Sequence, residues 1–222
     1  LMTPYIFKEQ NKIHIMDLRK TMPMFKDALE EAARLMKSRR FKKEDMPRIL
    51  FVGTKYAASS IIKEEATRAG MPYVNHRWLG GMLTNWKTVR RSVEKLKQIE
   101  LTLDQENITE KMSKKEILTL TRQKDKLLRA LGGIKNMKNP PDALFVVDVN
   151  AEKIAVKEAN ILNIPVIGVV DSNASPEGID YVIPANDDAE RSIRFLSSKV
   201  ADVIMETVAN LPVREEKKAP VV

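Results

Sequence analysis

The 222-residue chain contains no cysteine, which removes disulfides, thiolate zinc sites and cysteine nucleophiles together and fits a reducing compartment. Histidine is nearly as scarce, with only His14 and His76. His14 falls inside the apolar run Ile13-His14-Ile15-Met16 and is expected in the core. His76, beside Arg77 and Trp78, reads as a surface group that stacks or hydrogen-bonds, with general-base work as the alternative. No stretch reaches the roughly 18 uninterrupted apolar residues that span a bilayer. Leu1 to Asn11 lacks the charged-then-apolar pattern of a secretory leader. A cytoplasmic location and no membrane partner are expected.

Nucleotide and nucleophile motifs are also missing. There is no Gly-x-Gly-x-x-Gly, no Gly-x-x-x-x-Gly-Lys-Ser/Thr and no Gly-x-Ser-x-Gly elbow. Gly53-Thr54-Lys55 is a fragment of a phosphate loop, and Lys55 is retained as a candidate contact to a nucleic-acid phosphate. No catalytic residue, cofactor or metal ligand is assigned.

What is present is charge, unevenly placed. Residues 1–139 hold 30 Lys and Arg against 16 Asp and Glu, a net of +14, whereas residues 140–222 hold 8 against 14, a net of −6. A basic excess confined to one region is the footprint of a polyanion binder, because each cation placed on a phosphate releases condensed counterions.

Hydrophobic spacing gives the organisation. Ile13–Met16 reads as a strand, followed by a helix from Met22 to Met36 that starts at Thr21-Met22-Pro23. A basic loop, Ser38-Arg39-Arg40-Phe41-Lys42-Lys43, leads to a buried strand at Ile49–Gly53 and a helix from Ala57 to Ala69. Beyond a short strand at Tyr73-Val74, the chain carries a charged insert between Gly80-Gly81 and Gly132-Gly133. Val89, Val93, Leu96, Glu100 and Leu103 form one heptad stripe, and Ile117, Leu120, Lys124, Leu127 and Leu131 form another, with Glu100 and Lys124 as polar interruptions. Paired antiparallel, they make a helical hairpin with a loop at roughly 104–112, marginal alone and mobile at its tip. Strands at Ala143–Val147, Val166–Val170 and Tyr181–Ile183 then alternate with helices at Glu152–Leu162 and Ala189–Leu211. This is an α/β domain with a mostly parallel sheet covered by helices on both faces. The expected division is residues 1–79 and 133–211 as a discontinuous globular domain, 80–132 as the hairpin, and 212–222 as a disordered tail.

Asp148, Asp171, Asp187 and Asp188 fall at the carboxyl ends of the later strands. A divalent cation is conceivable there, but turns and helix capping are the expected roles, with Asp187 and Asp188 ahead of the last helix. In the stretch from His76 to Lys95 the parts cooperate. Gly80-Gly81 allows a tight turn, Thr84 is a cap candidate, and the helix start offers N–H groups to a phosphate. Arg77, Lys87, Arg90 and Arg91 are suited to phosphates, while Trp78 and Trp86 are suited to unpaired bases. One of the two tryptophans is expected to pack the hairpin base instead, and the arginines to face RNA.

The run from His76 through Gly80-Gly81, Asn85, Trp86 and Lys87 to Arg90 resembles the signature of the bacterial-type ribosomal protein S2 family. Ile49–Lys55, Leu131–Ile134, Pro141–Val146 and Ile164–Asn173 resemble it as well, so the likeness covers nearly the whole chain. It implies a flavodoxin-like sheet with an inserted coiled-coil hairpin and a non-enzymatic role in the small ribosomal subunit. It further implies a seat on ribosomal RNA between head and body, recruitment of ribosomal protein S1 for translation initiation, and no homo-oligomer. Carried over by position, Lys55, His76, Arg77, Trp78, Asn85, Trp86, Lys87, Arg90 and Arg91 are the RNA-facing candidates. The family carries a further segment ahead of the position of Met2, rich in histidine, glycine and aromatic residues, and contacts made through it are not carried over. The competing reading is a nucleotide-binding α/β enzyme, motivated by fold and by Gly53-Thr54-Lys55.

Overall fold

The computed structural model describes residues 2–11, 13–38, 48–105 and 112–211. Most of the basic loop at 38–43, the hairpin tip and the tail at 212–222 lie outside them. The chain opens with two antiparallel strands, β1 (Ile6–Gln10) and β2 (Ile13–Met16), bulged between Ile6 and Lys8. This overturns the reading of His14 as a core residue. His14 is exposed, pairs with Glu9 in the ladder, and holds its Nε2 3.9 Å from the Glu9 carboxylate. An apolar run is buried only if something covers it, and Ile13 remains 66% exposed on this ribbon.

Helix α1 (Leu18–Lys37) starts a turn earlier than the Thr21-Met22-Pro23 signal. Asp17 supplies the cap, its side chain accepting from the Arg19 N–H at 3.1 Å. Pro23 is therefore inside the helix, where it leaves the carbonyl one turn back without its N–H donor. Thr21 instead donates its hydroxyl to the Pro184 carbonyl at 2.6 Å, which ties α1 to the sheet.

The main sheet is formed by β3 (Ile49–Val52), β4 (Tyr73–Val74), β5 (Ala143–Val147), β6 (Val166–Val170) and β7 (Tyr181–Pro184). All are parallel, in the order β4-β3-β5-β6-β7. Numbered within the sheet this is 2-1-3-4-5, the flavodoxin-like arrangement. Its residues alternate between two cores because successive side chains point to opposite faces. Ile49, Phe51, Phe145, Val147, Ile167 and Val169 pack under α1, α2 (Tyr56–Arg68) and α6 (Glu190–Ala209). Leu50, Val52, Leu144, Val146, Val166 and Val170 face the other way, toward α5 (Lys153–Ile161) and the base of the insert.

The insert is built from α3 (Trp86–Leu103) and α4 (Lys114–Leu131), which pack side by side. Val89, Val93 and Leu96 are buried as the stripe requires, and Ile99 joins them. On α4 only Leu131 is fully buried, while Ile117, Leu120, Lys124 and Leu127 form its half-buried face. Ser113 and Glu116 close a reciprocal capping box at the start of α4. Glu100 is half-buried and paired with Lys135, from the segment that leaves the insert. A short 3-10 turn, Gly132–Ile134, then returns the chain to the body. A Cβ at Gly133 would lie 2.1 Å from the Tyr73 carbonyl oxygen, so only glycine allows this approach to β4.

Candidate nucleic-acid interface

Between β4 and α3 the chain folds around one carboxylate. Gly81 adopts a φ of 80°, which glycine takes without strain. The loop then directs the N–H groups of Gly81, Leu83 and Thr84 at Glu158 of α5, at 2.8, 2.9 and 3.0 Å. The Thr84 hydroxyl donates to the same carboxylate at 3.0 Å, and the Trp78 indole N–H donates at 3.1 Å. Glu158 is only 6% exposed. Burial opposes its charge, but the N–H groups of Thr84, Trp78, Leu83 and Gly81 outweigh burial and hold the carboxyl below the usual glutamate value.

The backbone donors of the loop ahead of α3 are taken by Glu158 and are not open to a phosphate. Two expectations are corrected. Thr84 does not cap α3: Asn85 stands at the cap position and makes no side-chain bond there. Trp78, carried over as an RNA-facing candidate, does not face outward: it is 7% exposed, belongs to the core beside Met82, Leu83 and Val89, and is the tryptophan that packs the hairpin base. Trp86 is half-buried, with its indole N–H 3.4 Å from the Lys138 carbonyl.

The remaining candidates do point outward. His76, Arg77, Asn85, Lys87, Arg90 and Arg91 are all exposed. Among the described residues, the only ion pair any of them makes joins Arg90 to Glu94 at 3.3 Å, with both side chains 57% exposed. Such a pair is weak in water and is readily exchanged for a phosphate.

Lys55 is not part of this group. Its ammonium lies in the crevice at the carboxyl ends of β3 and β5, 3.3 Å from Asp148 and 3.0 Å from Asp187, and it also pairs with Asp188. Burial works against its charge, but hydrogen bonds to Asp188 and Asp187 prevail and hold the ammonium above the ordinary lysine value. Its charge is shared among three carboxylates, unlike that of the outward cations. The neighbouring Thr54 N–H is likewise taken, by the buried Glu152 carboxylate at 2.7 Å. Desolvation raises Glu152, and at Asp187 it overcomes the Lys55 hydrogen bond to push the carboxyl up to about 6.

In the acidic set the expected turn role is met at Asp148, while the capping bonds ahead of α6 come from another residue. Carboxylate oxygens of Asp171, Asp187 and Asp188 lie within 4.8 Å of one another. Asp148, with φ 65°, accepts from the Ala151 N–H in a turn. Asn186, not Asp187 or Asp188, accepts the N–H groups of Asp188 and Ala189 ahead of α6.

Sequence reasoning missed Glu158. The available signal is a carboxylate on the buried face of α5, beside Ala155, Val156 and Ala159. A charge there requires partners, and they come from residues 74 to 80 positions away.

The chain matches the family model of ribosomal protein S2 over residues 1–207. The small ribosomal subunit protein uS2 of Hahella chejuensis is 56% identical over 201 residues, which cover 90% of this chain and 76% of that protein. Its counterpart in Marinobacter nauticus is 54% identical over 205 residues, covering 92% and 79%. That of Coxiella burnetii strain RSA 493 is 51% identical over 218 residues, covering 98% and 67%. With identity this high along nearly its whole length, the chain belongs to the ribosomal protein S2 family.

Proposed function

We propose that this protein is a non-catalytic structural component of the small ribosomal subunit that binds ribosomal RNA through the outward cations of residues 76–91. The observation that carries the reading is the contrast in availability. Arg77, Lys87 and Arg91 are exposed and without an ion pair among the described residues, whereas Lys55 in the sheet crevice is surrounded by carboxylates. Flavodoxin-like folds place ligands in that crevice. Here Glu152 and the Lys55 cluster fill its donors, which removes the main support for a nucleotide enzyme. His76 and Asn85 are assigned as hydrogen-bonding contacts and Trp86 as a partial stacking surface. Trp78 supports the loop from within.

The finer part of the proposal rests on the family resemblance. In this proposal the protein sits between head and body of the subunit, in the cytoplasm, and has a share in recruiting ribosomal protein S1, with the acidic globular part and the hairpin as docking surfaces. No described helix is long and apolar enough to cross a membrane.

Sedimentation of a lysate through a high-salt sucrose cushion tests the assignment. Near-stoichiometric retention with small subunits is expected. Recovery only in the soluble fraction would overturn it, and thermal stabilisation by a nucleotide would then revive the enzyme reading.

A further inference from the structure

We propose that Glu158 is the positioning residue of the nucleic-acid interface: its carboxylate fills the ring of donors in the loop before α3 and so fixes the direction in which that helix presents Lys87, Arg90 and Arg91. The inference rests on the RNA-binding reading above.

A turn whose successive N–H groups converge on one point is an anion-binding nest. Ahead of a basic helix in a polyanion binder, the expected occupant is a phosphate. In this protein the occupant is internal. Oε1 of Glu158 accepts from the Trp78 indole and the Gly81 N–H, and Oε2 accepts from the Leu83 N–H, the Thr84 N–H and the Thr84 hydroxyl. The N–H groups can only donate, and the hydroxyl is oriented to donate, so the site calls for a group that only accepts. Glutamate satisfies it. Glutamine does not, because whichever way its amide is turned, an NH2 group meets at least two donors.

The loop controls more than itself. Thr84 is followed by Asn85 and by Trp86, the first residue of α3. From Trp86 to Arg91 the helix rises about 7.5 Å, so a 10° change at the loop shifts the backbone under Arg91 by about 1 Å, with the long side chains carrying the rotation further. The carboxylate sits on α5, which packs on the same face of the sheet as Val89 and Val93 of α3. Glu158 thereby sets α3 relative to the sheet directly, through the chain that leads into it. RNA contacts are left to side chains, and the backbone donors serve to aim them.

The test compares wild type, Glu158→Gln and Val200→Ala, a core truncation in α6 on the opposite face of the sheet. Amide hydrogen exchange is measured on the full chain. Each variant is also rebound to small subunits washed free of their resident S2-family protein, over a range of salt. In Glu158→Gln, exchange at Gly81, Leu83 and Thr84 is expected to rise tenfold or more while amides of β5 and β6 keep their protection. Rebinding affinity is expected to fall about tenfold with an unchanged salt slope, because no cation is lost. Val200→Ala is expected to lower the melting temperature yet rebind as wild type does.

Unchanged exchange at the three amides would overturn the clasp. A freed loop with unchanged affinity would overturn the positioning role. Equal loss of affinity in Val200→Ala at equal loss of stability would assign the effect to general destabilisation and overturn it too. Failure of the wild type to rebind would sink the RNA reading, while the exchange data would still judge the clasp. Thr84→Val removes one donor only. It should show a smaller change of the same sign, and it replaces Glu158→Gln should that variant not fold; no change in it would then count against the proposal.

Discussion

The sheet crevice and the loop before α3 both aim donors at an anion, and each is already filled from within. In the sheet crevice, Thr54 and Lys55 meet Glu152, Asp148, Asp187 and Asp188. In the loop before α3, Gly81, Leu83 and Thr84 meet Glu158. The difference lies in what surrounds each filled site. Around the crevice the excess charge is acidic and the cation is consumed, whereas around the loop Arg77, Lys87, Arg90 and Arg91 remain turned to solvent. Inward donors therefore report on how the fold is held, and outward cations report on what it can bind.

The largest effect expected from breaking this comparison lies at its boundary. Gly133→Ala forces a methyl group against the Tyr73 carbonyl, so it should cost more than about 3 kcal/mol in urea unfolding or prevent folding altogether. Next in size is the triple change Arg77→Ala, Arg90→Ala and Arg91→Ala. Rebinding to small subunits should weaken about a hundredfold and the salt slope should fall by about three, while stability moves by less than about 0.5 kcal/mol. An unchanged slope would remove these residues from the interface. Lys55→Met is the reciprocal case, since it strands Asp148 and Asp187 in the crevice. It should cost about 2 kcal/mol of stability and leave subunit binding as in wild type.

The smallest expected effect is a difference in sign under acid. Asp187 is raised to about 6 from an ordinary value of 3.8, so the folded state holds that proton more tightly than the unfolded chain does. Its contribution to stability grows as pH falls from 7 toward 5, by about 1 kcal/mol, and Asp187→Asn should lack this gain in urea midpoints. Glu158 is lowered, so its contribution is present above the unfolded glutamate value and is lost as pH falls through its folded value. Mild acid should thus firm the crevice before stronger acid loosens the loop.

The strands were legible because the runs Ile49–Val52, Ala143–Val147 and Val166–Val170 are apolar throughout and buried throughout. In the insert the spacing of three and four marks Val89, Val93 and Leu96, which are buried, whereas the stripe on α4 is only half-buried apart from Leu131. What escaped depended on competition or on distance. Asp17 outcompeted Thr21 for the start of α1, and the β1–β2 ribbon lacks the cover that would have buried His14. Within the candidate site, the exposure of His76, Arg77, Asn85, Lys87, Arg90 and Arg91 agrees with the charge pattern, while Lys55 and Trp78 turn inward. Their partners, Asp187 and Glu158, stand 132 and 80 residues away in the chain. No local pattern announces a neighbour that far off.

One further consequence follows from Val89, Val93 and Leu131 sharing a core with Leu50 and Val146. The chain between β4 and β5 must cross over β3, and the roots of α3 and α4 lie on that face as part of its roof. With the Glu158 clasp closed, the arm therefore has no shoulder joint. Torque applied along its length would be felt as strain in the strands rather than dissipated in a hinge, so the body should turn with whatever the arm grips.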